Sequence, residues 1–208
     1  RITGFAKLDY QLTDYLSVFA RVGTDVVNHN TEGITATGHH FVPEGRIGFR
    51  QNEITETNYD FLFQFNKDVS KKFNLAANFG GNSRTSSRIS SSSSGENFQI
   101  PGKWFLSNTD GTQISASQSD FIQKKVNSLY GQASLAYNNM VYLDLTGRND
   151  WSSALAAENR SYFYSSASLS VLLNKVFKME DTNIDLLKFR VSTANVGNDT
   201  GAQQIENT

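Results

Sequence analysis

The 208-residue sequence contains no cysteine, only two prolines and two methionines, and no long hydrophobic run. Without cysteine there is no disulfide framework, no thiol nucleophile and no cysteine metal site. The scarcity of proline leaves backbone donors free for long paired strands, in which an imino acid would break the ladder. No stretch approaches the roughly 18 apolar residues of a membrane-spanning helix. A net charge of −1 gives no electrostatic reason to invoke nucleic acid or an anionic surface.

What the chain does contain is alternation. In 134–148, Leu135, Tyr137, Val141, Leu143 and Leu145 fall on one face, while Ser134, Tyr142, Asp144, Thr146 and Arg148 fall on the other. Side chains leave a strand on alternate sides, so a period of two is the signature of β-structure. Apolar-out, polar-in segments of about ten residues are what a transmembrane β-barrel requires, and such strands keep the mean hydropathy of the whole chain low.

The same pattern recurs along the sequence. Strands are expected over 2–12, 15–25, 57–66, 72–82, 126–137, 140–150, 162–173 and 184–195, about eight in all. Their connections alternate in length. Thr13-Asp14, Lys67–Lys71, Asn138-Asn139 and Asn174–Asn183 read as short, and Val26–Thr55, Ser83–Asp120 and Trp151–Asn159 as longer, with a strand extension open at Arg46–Arg50. Outer-membrane barrels sort their connections in this way, into short periplasmic turns and long extracellular loops. Aromatics on the apolar face (Tyr10, Phe65, Phe73 and Tyr137 near the short turns, Tyr59, Phe79 and Phe163 toward the far ends) fit two interfacial girdles, although aromatics favour strands in any case. The reading is therefore all-β, an antiparallel transmembrane β-barrel. Both chain ends would lie extracellularly, so further strands are expected on both sides and residues 1–208 form part of a single barrel domain. In Ser83–Asp120 the run Ser90–Ser94 is expected to be mobile and Asn97–Asn108 ordered.

Three stretches carry a family resemblance. Ser128-Leu129-Tyr130-Gly131, followed by Tyr142-Leu143 and Arg148-Asn149-Asp150-Trp151-Ser152-Ser153, resembles the barrel hairpin of SusC/RagA-type TonB-dependent outer-membrane transporters. Tyr162-Phe163-Tyr164-Ser165-Ser166-Ala167-Ser168 resembles that family's "Y-F-P-S-x-S" strand, with Tyr164 in place of the proline. Leu187-Lys188-Phe189-Arg190-Val191-Ser192 with Gly197-Asn198 resembles its "L-K-x-R-x-S-Y-G-x-x-G-N", with Thr193-Ala194 in place of Tyr-Gly. The resemblance implies about eight strands of a roughly 22-stranded barrel around a plug. It further implies nutrient import (a glycan or peptide oligomer) across the outer membrane of a Bacteroidota-type bacterium. TonB would supply energy through a plug, outer-membrane lipid would surround the barrel, and a SusD-like surface lipoprotein would act as lid. The alternatives are a siderophore- or cobalamin-type receptor, a passive porin, or a soluble β-sandwich or adhesin module.

No catalytic constellation or cofactor motif is present, so an enzyme is not expected. His39 and His40 point apart on an extended chain, and a solvated loop explains them better than a metal site. Arg148 and Asp150 share the polar face where a strand would leave the membrane. They read either as a structural ion pair or plug contact, or as part of a substrate cavity. Trp104, Phe105 and Trp151, placed in loops, read either as stacking surfaces for substrate or lid, or as loop-to-loop packing.

Overall fold

The computed structural model describes residues 1–179 and 184–197, with the backbone alone at Ser119 and Asp120. Eight strands follow one another: β1 (Ile2–Thr13), β2 (Leu16–Thr35), β3 (Arg46–Ser70), β4 (Phe73–Glu96), β5 (Ser115–Tyr137), β6 (Val141–Ser152), β7 (Ser161–Leu172) and β8 (Lys188–Asn195). They form one sheet in chain order, each strand paired with the next. The protein is all-β, and β5 to β8 pair antiparallel. Helical structure among the described residues is confined to single turns at Leu106–Asn108, Gly111–Gln113, Ala157–Asn159 and Leu173–Val176 (α1).

The register turns the sequence alternation into rows. Leu135, Leu143, Leu169 and Val191 stand opposite one another across β5 to β8, and Tyr137, Val141, Val171 and Phe189 form the adjacent row. On the other face Ser134, Asp144, Ser168 and Ser192 form a row, as do Ala136, Tyr142, Ser170 and Arg190. A slip of one residue in any pair would mix the two chemistries. The Asn138-Asn139 turn holds that register. Both residues have positive φ (50° and 52°), and the Met140 amide donates to the Tyr137 carbonyl at 2.9 Å. This is the type I′ geometry whose twist matches paired strands, and Asn tolerates it better than most residues.

Several boundaries differ from the sequence reading. Of the expected loop Val26–Thr55 only 36–45 lies outside strands, and of Ser83–Asp120 only 97–114. Ser90–Ser94 are therefore not a mobile tract but the far end of β4. Strands polar on both faces show no alternation to read. Their backbone groups are nonetheless satisfied by neighbouring strands, and this holds the segment whatever the side chains are. Trp151 lies in β6 rather than in a loop. The connection after β7, read as short, spans 173–187 and includes α1, with 180–183 outside the described residues.

The chain divides into two compact units. One comprises Arg1–Gly4, Thr24–Thr57 and Ser86–Gln123, and the other Phe5–Gly23, Asn58–Thr85 and Lys124–Thr208. In the second unit the apolar face is a continuous surface of rings and aliphatic chains. Phe73 packs on Tyr137 with centroids 4.9 Å apart, Tyr15 on Phe65 at 5.6 Å, and Phe61 on Phe79 at 6.3 Å. A Cβ at Gly81 would meet the Phe61 ring at 2.6 Å, so glycine is what lets that ring lie flat on β4. Leu143, Leu145, Phe163, Leu169 and Phe189 stay open, and no described residue layers over them. An uncovered apolar sheet face of this extent marks a surface meant for an apolar neighbour.

The first unit has a different logic. Its strands are mostly polar, with Ile47 fully buried among them, and its connections fold on one another. The Asn97 and Phe98 amides donate to the Gly45 and Glu44 carbonyls at 3.0 Å each, and the Phe98 ring fills the space where a Gly45 Cβ would stand. Phe98 also bridges Thr109 across the loop.

Candidate functional site

The polar face of the second unit carries the groups with chemistry. Alternation along β6 places Asp144, Thr146, Arg148 and Asp150 on that side, and the register brings Tyr130 and Tyr164 beside Arg148, and Ser128 and Tyr162 beside Asp150. The Ser134 hydroxyl donates to Asp144 at 2.5 Å, and Thr146 and Ser166 share a hydrogen bond of the same length.

Arg148 is held on three sides. Its Nε donates to Asp150 Oδ1 at 2.8 Å, its Nη2 donates to Ser128 Oγ at 2.9 Å, and its Cζ lies 5.8 Å from the Tyr130 ring centroid. The Asp150 side chain is 10% exposed, whereas that of Arg148 is 46% exposed. A carboxylate so covered needs its cation, and the open guanidinium remains available to solvent or ligand. Beside this group the Tyr162 and Tyr164 rings meet edge to face at 5.2 Å.

A second pair repeats the theme. Arg21 reaches Asp60 Oδ2 through Nε at 2.9 Å and Nη2 at 2.8 Å, and Asn82 Nδ2 donates to Asp60 Oδ1 at 2.6 Å. The sequence reading missed this pair, because Arg21 and Asp60 sit on different strands and neither belongs to a motif. The tyrosines were missed for another reason: parity alone marks them as polar-face residues, and an aromatic is easily counted with the apolar face.

The other expected site residues lie elsewhere. Trp151 is on the opposite face from Arg148 and Asp150. It stands across from Asn127 and Ser161 and lines a groove of about 350 Å³ with Tyr59, Phe61, Gly81 and Leu129. Trp104 and Phe105 belong to the first unit. Trp104 packs edge-on against Phe98 at 5.2 Å and stays 36% exposed, and Phe105 is 48% exposed. The loop that carries them, expected to be ordered over Asn97–Asn108, is built around Asn108, only 4% exposed. Its Nδ2 donates to the Ile100 and Lys103 carbonyls at 2.8 Å each, and its Oδ1 accepts from the Ile100 amide at 3.1 Å. Just beyond, Asp110 accepts from the Thr112 amide at 3.0 Å and hydroxyl at 2.9 Å, bonds that hold its carboxyl below the usual carboxylate pKa, the amide having the larger effect.

His39 and His40 both stack near Phe41, at 6.0 and 4.8 Å, and His29 contacts Thr31. No cluster of three metal-ligating side chains occurs among the described residues. No helix of the described residues is long and apolar enough to cross a membrane, which leaves crossing by strands open.

A scan against protein-family models matches none, and a search of curated proteins finds no relative. Solved structures do match. The structure described as the RagAB peptide transporter aligns with a TM-score of 0.79 at 19% identity, over 91% of this chain and 21% of that one. The RagAB peptide importer in its "closed-closed" state gives 0.81 at 18% identity over 95% and 23%. The "open-open" state gives 0.79 at 17% over 92% and 22%. At this identity the likeness shows the fold, and the chain spans little more than a fifth of those transporter chains. The protein thus has the all-β fold of a stretch of these transporters.

Proposed function

We propose that this chain is part of the β-barrel wall of a SusC/RagA-type outer-membrane importer, and that residues 1–208 belong to one barrel domain whose plug and remaining strands lie outside it. One observation carries the reading most: an eight-stranded antiparallel meander with the fold of peptide-importer chains has, in its second unit, one apolar face and one polar face. The apolar rows through Leu143 and Leu169 would meet lipid. The polar rows through Asp144 and Arg148 would meet the lumen. A soluble β-sandwich would cover its apolar face with a second sheet, and no second sheet occurs among the described residues.

The cargo on this reading is an oligopeptide or glycan, with peptide favoured by the importers whose fold it shares. Energy would come through TonB acting on the plug, and a SusD-like lipoprotein would close the extracellular side, where Trp104 and Phe105 would meet lid or cargo. An outer-membrane transporter rather than an enzyme is the role that this wall fits. The test uses the full-length transporter in cells: uptake of labelled oligopeptides should require the protein and stop when TonB is deleted or the proton gradient collapsed. Uptake that persists without TonB would point instead to a passive porin.

A further inference from the structure

The two arginine–aspartate pairs on the polar face differ in a way that bears on cargo. Arg21 has no ring of a described residue over it and directs both Nε and Nη2 to Asp60. Arg148 spends the same side of its guanidinium, Nε and one Nη2 proton, on Asp150 and Ser128. Its end-on edge, Nη1 with the second Nη2 proton, makes no hydrogen bond to a described residue. That edge belongs to a side chain about half exposed, with Tyr130 5.8 Å from its Cζ and Tyr164 next to it in register.

We infer that Arg148 is a specificity-determining residue that receives a carboxylate of the peptide cargo on this free edge, between the rings of Tyr130 and Tyr164. The inference rests on the importer reading above. Guanidinium and carboxylate match as planar forks, with two parallel N–H···O bonds. Asp150 and Ser128 fix the fork before cargo arrives, so little rotamer freedom is lost on binding. Asp150 also sets an upper limit on affinity. Its charge already balances that of Arg148, so a carboxylate is drawn by oriented donors more than by net charge and is released readily, as import requires. A neutral glycan would gain the ring contacts without the fork.

The test is competitive uptake by the full-length transporter of one labelled peptide in two forms, with a free C-terminal carboxylate and as the C-terminal amide, the peptide having no acidic side chains. The unaltered transporter should favour the free acid about tenfold, the ratio that two charge-assisted bonds worth about 1.4 kcal/mol together would give. Arg148→Gln should bring the ratio to about one. Arg148→Lys, which keeps the charge and loses the fork, should leave an intermediate ratio, and the amount of each variant in the outer membrane is read by heat-modifiable migration. A ratio near one in the unaltered transporter, or a ratio unchanged in Arg148→Gln, overturns the assignment and leaves Arg148 a wall or plug contact. If Arg148→Gln fails to assemble, Arg148→Lys decides alone, an unchanged ratio overturning the assignment and a reduced one upholding it. Uptake of neither form by the unaltered transporter overturns the importer reading together with this one.

Discussion

Strands β2 to β5 each contribute to both compact units, yet the two units solve different problems. In the second unit β3 contributes Tyr59, Phe61, Phe63 and Phe65 at alternate positions, and β4 contributes Phe73, Leu75, Ala77 and Phe79. In the first unit β3 contributes Arg46, Asn52, Glu53 and Thr55 beside the buried Ile47, and β4 carries a serine run before Gly95 and Glu96. One stretch of strand builds an open apolar sheet face. The other is mostly polar and is held by hydrogen bonds, folded loops and the buried Ile47 and Phe98. Buried Asn52, which accepts from Arg88 at 3.2 Å and Ser90 at 2.7 Å, does in the first unit what packed rings do in the second. The difference teaches that a strand can persist where its amphipathic signal ends.

The sharpest way to break the comparison is to place a charge on the apolar rows. Leu143→Arg should cost about 2–4 kcal/mol if the site lies at bilayer depth, against little for Asp144→Asn next to it. Folded barrel in outer-membrane fractions should fall steeply for the first variant and stay near the unaltered level for the second. Equal behaviour of the two would remove the distinction between the faces.

The serine segment gives the next largest effect. Deleting Ser90–Ser94 removes five residues from β4 and with them the backbone partners of the two strands beside it, β3 and β5. The deletion should therefore disrupt assembly, whereas replacing all five serines with threonine should be tolerated, because threonine suits strands. Comparable assembly of the deletion and the unaltered protein would mean that the segment is a spacer after all.

These two tests touch what could and could not be read beforehand. The hairpins of β5 to β7 were legible because alternation, an Asn-Asn turn and the family-like motifs all coincide there, and the polar-face placement of Arg148 and Asp150 followed from parity. Apart from Arg46–Arg50, left open as a strand extension and found at the start of β3, the extents of β2, β3, β4 and β5 in the first unit were not legible. Alternation reports which side of a strand is apolar, and a strand with two polar sides carries no such report. Trp151 was misplaced in a loop because Asp150 and Ser152, polar and flanking it, resemble loop composition. The Arg21–Asp60 pair required knowing how β2 registers on β3, which a single sequence does not contain.

A milder perturbation sharpens the account of the first unit. Asn108→Ala removes three hydrogen bonds, to the Ile100 amide and to the Ile100 and Lys103 carbonyls, at a cost of about 1–3 kcal/mol. Limited proteolysis should then cut within 97–114 without affecting Leu143 and its row. Smaller still is the effect of acid on the turn at 111–113. Asp110 is held ionised below the ordinary carboxylate pKa by Thr112. Its contribution is thus fully present above the unfolded carboxylate pKa and is lost as pH falls through the lowered folded one. Hydrogen exchange at the Thr112 amide, corrected for intrinsic rates, should show protection at neutral pH that disappears in strong acid. In Asp110→Ala it should show no such pH dependence.

The central claim is that β6 separates lipid from lumen, and cysteine labelling can measure it, since these 208 residues add no background thiol of their own. Single variants Leu143→Cys, Asp144→Cys, Leu145→Cys and Thr146→Cys in the full-length transporter, spin-labelled and reconstituted in bilayers, report collision with oxygen and with a polar nickel complex. The account predicts alternation with a period of two, oxygen dominating at 143 and 145 and the nickel complex at 144 and 146. Uniform accessibility, or the opposite phase, would contradict it.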